Sequence, residues 1–265
     1  MNVTDFEYDG IKLSDMGYIV CNFDNKGNRV FENGSVLNFN TLSSQNGYKF
    51  DLVSSNYSEC LGAVLQICKN PCSNKDNYNI TKKDIIQISE WLNRREFHKL
   101  RFVSDDYINV HTEASFNISC IEHAGNVVGF ELNIVTNRPH LLLQSERIVL
   151  NNTITNGKKY IIDSGNAEGY IYPKMKITLK QSGNLSIFNE LDNQEMIIKN
   201  CINGEIIEID YPIISTSVSG HKIQDDFNWN FFRIVNTFRD KTNKITISLP
   251  CVIEIEYSPI LKSGI

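Results

Sequence analysis

Three groups of side chains in the 265-residue chain are of kinds that could do chemistry. Cys60, Cys68 and Cys72, with His98 or His123 as a fourth member, combine thiols and an imidazole, the donor set that suits zinc. Their spacing departs from the paired ligands of a zinc finger, and Cys60 and Cys68 fall where a strand interior would use a free cysteine as a small hydrophobe. No metal is therefore expected, and a Cys68–Cys72 disulfide across Pro71 is disfavoured in a reducing cytoplasm. Glu205, Glu208 and Asp210, with Asp225 and Asp226 downstream, could supply the carboxylate pair of a glycoside hydrolase if their separation were right. Glu208 and Asp210 alternate with Ile207 and Ile209, which is the pattern of a strand with one solvated and one buried face. The third group is aromatic: Tyr170, Tyr172, Trp229, Phe231 and Phe232, whose rings could stack on the C–H faces of a sugar. Tyr172 and Trp229 are the candidates for weak sugar binding, although such rings are also ordinary core material in a β-sandwich. No glycine-rich nucleotide turn, Gly-Lys-Ser/Thr phosphate loop, His-Glu-x-x-His or Gly-x-Ser-x-Gly elbow occurs, so neither a cofactor nor an enzymatic activity is expected.

The elements that must position these residues read as short strands around one helix. Asp9-Gly10, Asn33-Gly34, Asn46-Gly47, Asn156-Gly157, Ser182-Gly183 and Asn203-Gly204 separate runs in which apolar and polar residues alternate. The helix is expected over 81–97: Thr81 can cap it, Asp84 completes a capping box, and Ile85, Ile88 and Leu92 share one face. Leu100 and Phe102 then alternate as a strand would, and Asp105-Asp106-Tyr107 makes a polar break. The pattern stops at Pro139, and no comparable helix follows. The expected fold class is mainly β. It comprises an α+β N-terminal domain over 1–138 with one main helix, and a sandwich of short antiparallel strands over 141–265.

Composition narrows the function classes. Hydrophobic residues make up 41% and charged residues 22%, enough for two packed cores and unlike a disordered chain. A net charge of −5 argues against nucleic acid or an anionic membrane as the main partner. No apolar run approaches the ~20 residues of a membrane span. Asp5, Glu7 and Asp9 stand where a secretory signal would need basic and then apolar residues, so a chain that stays soluble where it is made is expected. Seven scattered cysteines in a chain this long suggest reduced thiols.

Taken in order, the helix ending in Trp91-Leu92, the strand with Leu100, the turn Asp105-Asp106-Tyr107 and the alternating strands to Val135 resemble the N-terminal domain of the distal tail proteins of long-tailed bacteriophages. Tyr8-Asp-Gly-Ile11 and Met16-Gly-Tyr-Ile-Val20 are similar to that family's opening strand and turn. Asn166-x-x-Gly169-x-x-x-Pro173, Lys176-Ile-Thr-Leu179, Ile206 to Asp210, Asn243-Lys-Ile245 and Ile253 to Pro259 resemble its C-terminal galectin-like sandwich. Lys241-Thr-Asn243 replaces a Gly-Asn pair frequent in the family, and 219–230 matches no part of the pattern. The resemblance implies a structural hub without catalysis, made in the bacterial host cytoplasm and placed in the virion tail. Six copies would form a ring through their N-terminal domains, with the galectin-like domains at the periphery. The implied partners are the tail-tube protein, the tail-tip or tail-associated protein and receptor-binding proteins. Trp91 and Leu92 become candidates for core packing or ring contact. The competing readings are a carbohydrate-binding module, the equivalent hub of a phage-tail-like particle, and a cell-wall hydrolase using Glu208 or Asp210.

Overall fold

The structure is a computed structural model that describes residues 3–23, 34–72, 79–104 and 109–263. The chain divides into two compact units, Met1–Leu143 with the returning segment Leu261–Ile265, and Gln144–Ile260. Both are mainly β, and among the described residues no helix is long and apolar enough to cross a membrane.

The first unit contains β1 (Val3–Tyr8), β2 (Ile11–Lys12), β3 (Tyr18–Cys21), β4 (Leu37–Ser44), β5 (Lys49–Tyr57), β6 (Gly62–Lys69), helix α1 (Lys82–Leu92), β7 (His98–Ser104), β8 (His111–His123), β9 (Asn126–Thr136) and β10 (Leu141–Leu142). Its main sheet is antiparallel, in the order β2-β1-β7-β8-β9-β6-β3, with β10 pairing on β8. Alternation along these strands turns Phe6, Tyr8, Leu100, Phe102, Phe116, Phe130, Leu132 and Ile134 inward, and α1 adds Ile88, Trp91 and Leu92 to the same core. The helix begins as its sequence dictates. The Thr81 hydroxyl accepts from the Asp84 amide while the Asp84 carboxylate accepts from the Thr81 amide, so two free N–H groups of the first turn are satisfied. It stops at Leu92, five residues short of the expected Phe97. Asn93 there adopts a non-helical backbone and its side-chain amide donates to the carbonyl of Phe116, a bond to β8 that local sequence cannot announce. The expected break at Asp105-Asp106-Tyr107 lies outside the described residues. Strands β4 and β5 form a separate hairpin that joins neither core.

The second unit contains β11 (Glu146–Asn152), β12 (Gly157–Ile162), β13 (Gly169–Ile171), β14 (Lys174–Leu179), β15 (Gly183–Asn189), β16 (Gln194–Cys201), β17 (Ile206–Asp210), β18 (Ile213–Thr216), the single turn α2 (Ile223–Asp226), β19 (Ile234–Asn236), β20 (Thr242–Ile247) and β21 (Cys251–Tyr257). A last short strand, β22 (Ile260–Leu261), pairs with β10. A five-stranded sheet, β11-β21-β14-β17-β18, and a four-stranded sheet, β12-β20-β15-β16, contribute to one shared core. Met175, Ile177, Ile253 and Ile255 come from the first, and Leu185, Ile187, Ile198, Ile245 and Ile247 from the second. The fully buried Asn243 acts as a strand partner. Its side chain accepts from the Val235 amide and donates to the Val235 carbonyl, tying β19 to β20.

Candidate functional site

A cluster of exposed apolar residues lies on the hairpin. Pairing runs Leu37 to Tyr57 and Phe39 to Ser55, then, after a bulge, Thr41 to Leu52 and Ser43 to Phe50. Val53 is the extra residue, and its insertion shifts the phase of β5 by one so that Phe50 and Leu52 share the face of Phe39 and Leu37. The opposite face is mostly polar: Asn40 donates to Ser54, Ser44 to Asp51, and Lys49 pairs with Asp51 at 2.6 Å, with Leu42 its one large apolar residue. The hairpin is thus amphipathic, yet Phe39 is 62% exposed, Phe50 65% and Leu52 59%. A two-stranded ribbon is marginal alone in water, so an apolar face of this kind needs a cover that this chain does not supply among its described residues.

Trp91 and Leu92 are placed differently. Trp91 is 5% exposed, stacks on Phe6 at 5.9 Å, meets Tyr8 edge-on and donates its indole N–H to the Tyr8 carbonyl at 3.2 Å. Leu92 is fully buried. Both side chains belong to the core of their own unit, which leaves them no surface to offer a neighbouring copy.

The aromatic residues of the second unit converge. Tyr211 stacks face to face on Tyr172 at 4.0 Å, and Tyr172 meets Tyr170 edge-on at 5.5 Å. The buried Phe231 touches Tyr172, Tyr211, Phe227 and Trp229. The structure therefore links Tyr172 and Trp229 through Phe231, and adds Tyr211, absent from the sequence-based set, beside Tyr172 and Phe231. Trp229 is 58% exposed and has a left-handed backbone, φ 57°, which costs a bulky residue on the order of 1 kcal/mol or more. Its neighbours hold it there, because the side-chain amides of Asn228 and Asn230 both donate to the Glu195 carbonyl on the edge strand β16. The Arg233 guanidinium lies 4.4 Å over the Tyr170 ring and donates to Asp192 at 2.6 Å.

Glu208 and Asp210 stand on the solvent face of the five-stranded sheet, opposite Lys176 at 3.4 Å and Lys174 at 2.8 Å. With Arg147 and Glu254 they line a hollow of about 470 Å³. This is a cross-strand charge lattice of the exposed kind. Glu205 is placed differently: it precedes β17 and is buried. Its carboxylate accepts from the Ile202 amide at 2.8 Å, from the Thr216 hydroxyl, and meets His221 Nδ1 at 2.6 Å, while His221 Nε2 lies 3.4 Å from Asp226. Burial by itself would push the Glu205 carboxyl up, but the hydrogen bonds from Thr216, His221 and Ile202 outweigh it and hold the carboxyl below its ordinary value.

All seven cysteines are free thiols. Burial pushes Cys201 and Cys251 up to about 11, so at neutral pH they are protonated fillers of the core. Cys60 and Cys72 are exposed and Cys68 half-buried, and among the described residues no three His, Cys, Asp or Glu side chains are placed to hold a metal ion.

Comparison with known proteins fits this architecture. Residues 1–138 match a family described as the phage tail protein N-terminal domain, and residues 143–257 match one described as the phage tail C-terminal domain. No curated protein matches the sequence. Among solved structures, the crystal structure of the SPP1 Dit protein, titled a paradigm of the hub adsorption apparatus in phages infecting Gram-positive bacteria, superposes with a TM-score of 0.68 at 11% identity. The match covers 97% of this chain and 99% of that one, and identity so low carries the fold alone. With both of its domains matched, the chain belongs to this family of phage tail proteins and has the mainly-β, Dit-like fold of a distal tail protein.

Proposed function

We propose that the chain is a structural hub at the distal end of the tail tube, assembled as a homo-oligomeric ring, with a hexamer as the expected state. The observation that carries this reading is the amphipathic hairpin β4–β5, whose apolar face with Phe39, Phe50 and Leu52 is turned to solvent. A second copy is the fitting cover, because a closed ring requires each subunit to present one patch and receive its neighbour's. The family match and the Dit-like fold support the tail location. In this role one side of the ring meets the tail-tube protein and the other the tail-tip or tail-associated protein. The two-sheet second unit, read as galectin-like, serves as an attachment point for receptor-binding or other baseplate proteins. The role is mechanical and involves no catalysis. Negative-stain electron microscopy of the purified chain tests it: rings with a central channel are expected, and a field of single compact particles at concentrations well above the micromolar range contradicts it.

A further inference from the structure

We propose that the second unit also carries a saccharide-binding platform, formed by the exposed rings Tyr170, Tyr211 and Trp229, linked through Tyr172 and the buried Phe231 and with Arg233 over Tyr170, which takes the sugar rings of a neutral polysaccharide. Three observations converge on it. The rings are already in place before any ligand arrives: Tyr211 is held face to face by Tyr172, Tyr211 and Trp229 both rest against the buried Phe231, and the Asn228 and Asn230 amides fix the backbone that turns Trp229 outward. A platform fixed in advance loses little freedom on binding. Trp229 is also unexplained by folding, since a strained, left-handed position that is more than half exposed would suit asparagine or glycine better. Finally, the platform includes planar charged groups. Arg233 lies over Tyr170 and pairs with the largely buried Asp192. A sugar needs this combination, apolar ring faces for its C–H groups and planar donors and acceptors for its hydroxyls.

The test uses the full chain titrated with tetrasaccharides of glucose, galactose and N-acetylglucosamine, and in a parallel arm with a proline-rich peptide, the other ligand that aromatic rows accept. Tryptophan emission is the readout: of the two tryptophans Trp91 is buried, so a change reports on Trp229. The expected result is a saturable blue shift and protection from acrylamide quenching with at least one saccharide. Tyr211→Ala should weaken that binding about tenfold or more, and Phe238→Ala, at an exposed ring outside the platform, should leave it unchanged. Trp229→Gln, followed by calorimetry, should abolish binding while leaving the melting temperature and the light-scattering mass as in the unmodified chain, which separates this site from ring assembly. No saturable change with any of the saccharides, undiminished affinity in Tyr211→Ala and Trp229→Gln, or saturation by the peptide alone would each overturn the proposal.

Discussion

Helix α1 and the hairpin β4–β5 are both amphipathic, and they end in opposite states. The helix turns Ile88, Trp91 and Leu92 onto the sheet of its own unit, where Phe6 and Tyr8 close over the indole. The hairpin gathers Leu37, Phe39, Phe50 and Leu52 on one face by means of a bulge and leaves the last three uncovered. Amphipathic patterning therefore specifies that a face will be covered but not what covers it. In the helix the cover is intramolecular and its energy stabilises the fold. In the hairpin the same kind of burial would come from association, as the proposed ring requires.

The contrast can be broken experimentally in several places. The largest effect should come from Trp91→Ala, which removes a buried indole and its bond to the Tyr8 carbonyl. A loss of about 3–5 kcal/mol is expected, read as a lower denaturation midpoint of the first unit. An unchanged midpoint would mean that the ring is not core material. Next is Glu205→Ala in the second unit, at about 3 kcal/mol, because it strands His221 and Thr216 without their buried partner. Since the folded-state pKa of Glu205 lies below its ordinary value of 4.5, its stabilisation is present above that value and is lost as pH falls through the lower folded one. The unmodified chain should thus lose stability in acid more steeply than the variant, as followed by thermal melts across an acidic pH series. Thr81→Ala should cost about 1 kcal/mol through the lost cap of α1. Smallest in the isolated subunit is Phe39→Ser with Phe50→Ser, where roughly 0.5 kcal/mol or less is expected because these rings are already in water.

The sequence was most legible where the bonds are local. Thr81 and Asp84 announce the start of α1, and Lys174 to Leu179 alternate over the bounds the strand adopts. It was least legible where partners are distant. The end of α1 depends on Asn93 reaching the Phe116 carbonyl, and the burial of Glu205 depends on Thr216 at the end of β18 and His221 in the loop after it. Strand β4 went unread because Asn38, Asn40, Ser43 and Ser44 dilute its apolar residues and no core fixes its register. Of the aromatic candidates, Tyr172 and Trp229 could be named from residue type. Tyr211 could not, since its place beside Tyr172 arises from two strand ends that only the folded sheet brings together. The segment 219–230, which had no counterpart in the family pattern, holds both His221 and the turn that presents Trp229.

Light scattering on the full chain, from dilute to concentrated solution and beside the Phe39→Ser, Phe50→Ser variant, tests most directly whether the hairpin joins one subunit to the next. The expected result is a mass near six times the 30.3 kDa protomer that falls to a single protomer in the variant. A single protomer at every concentration of the unmodified chain, or an assembly indifferent to the two substitutions, would contradict it.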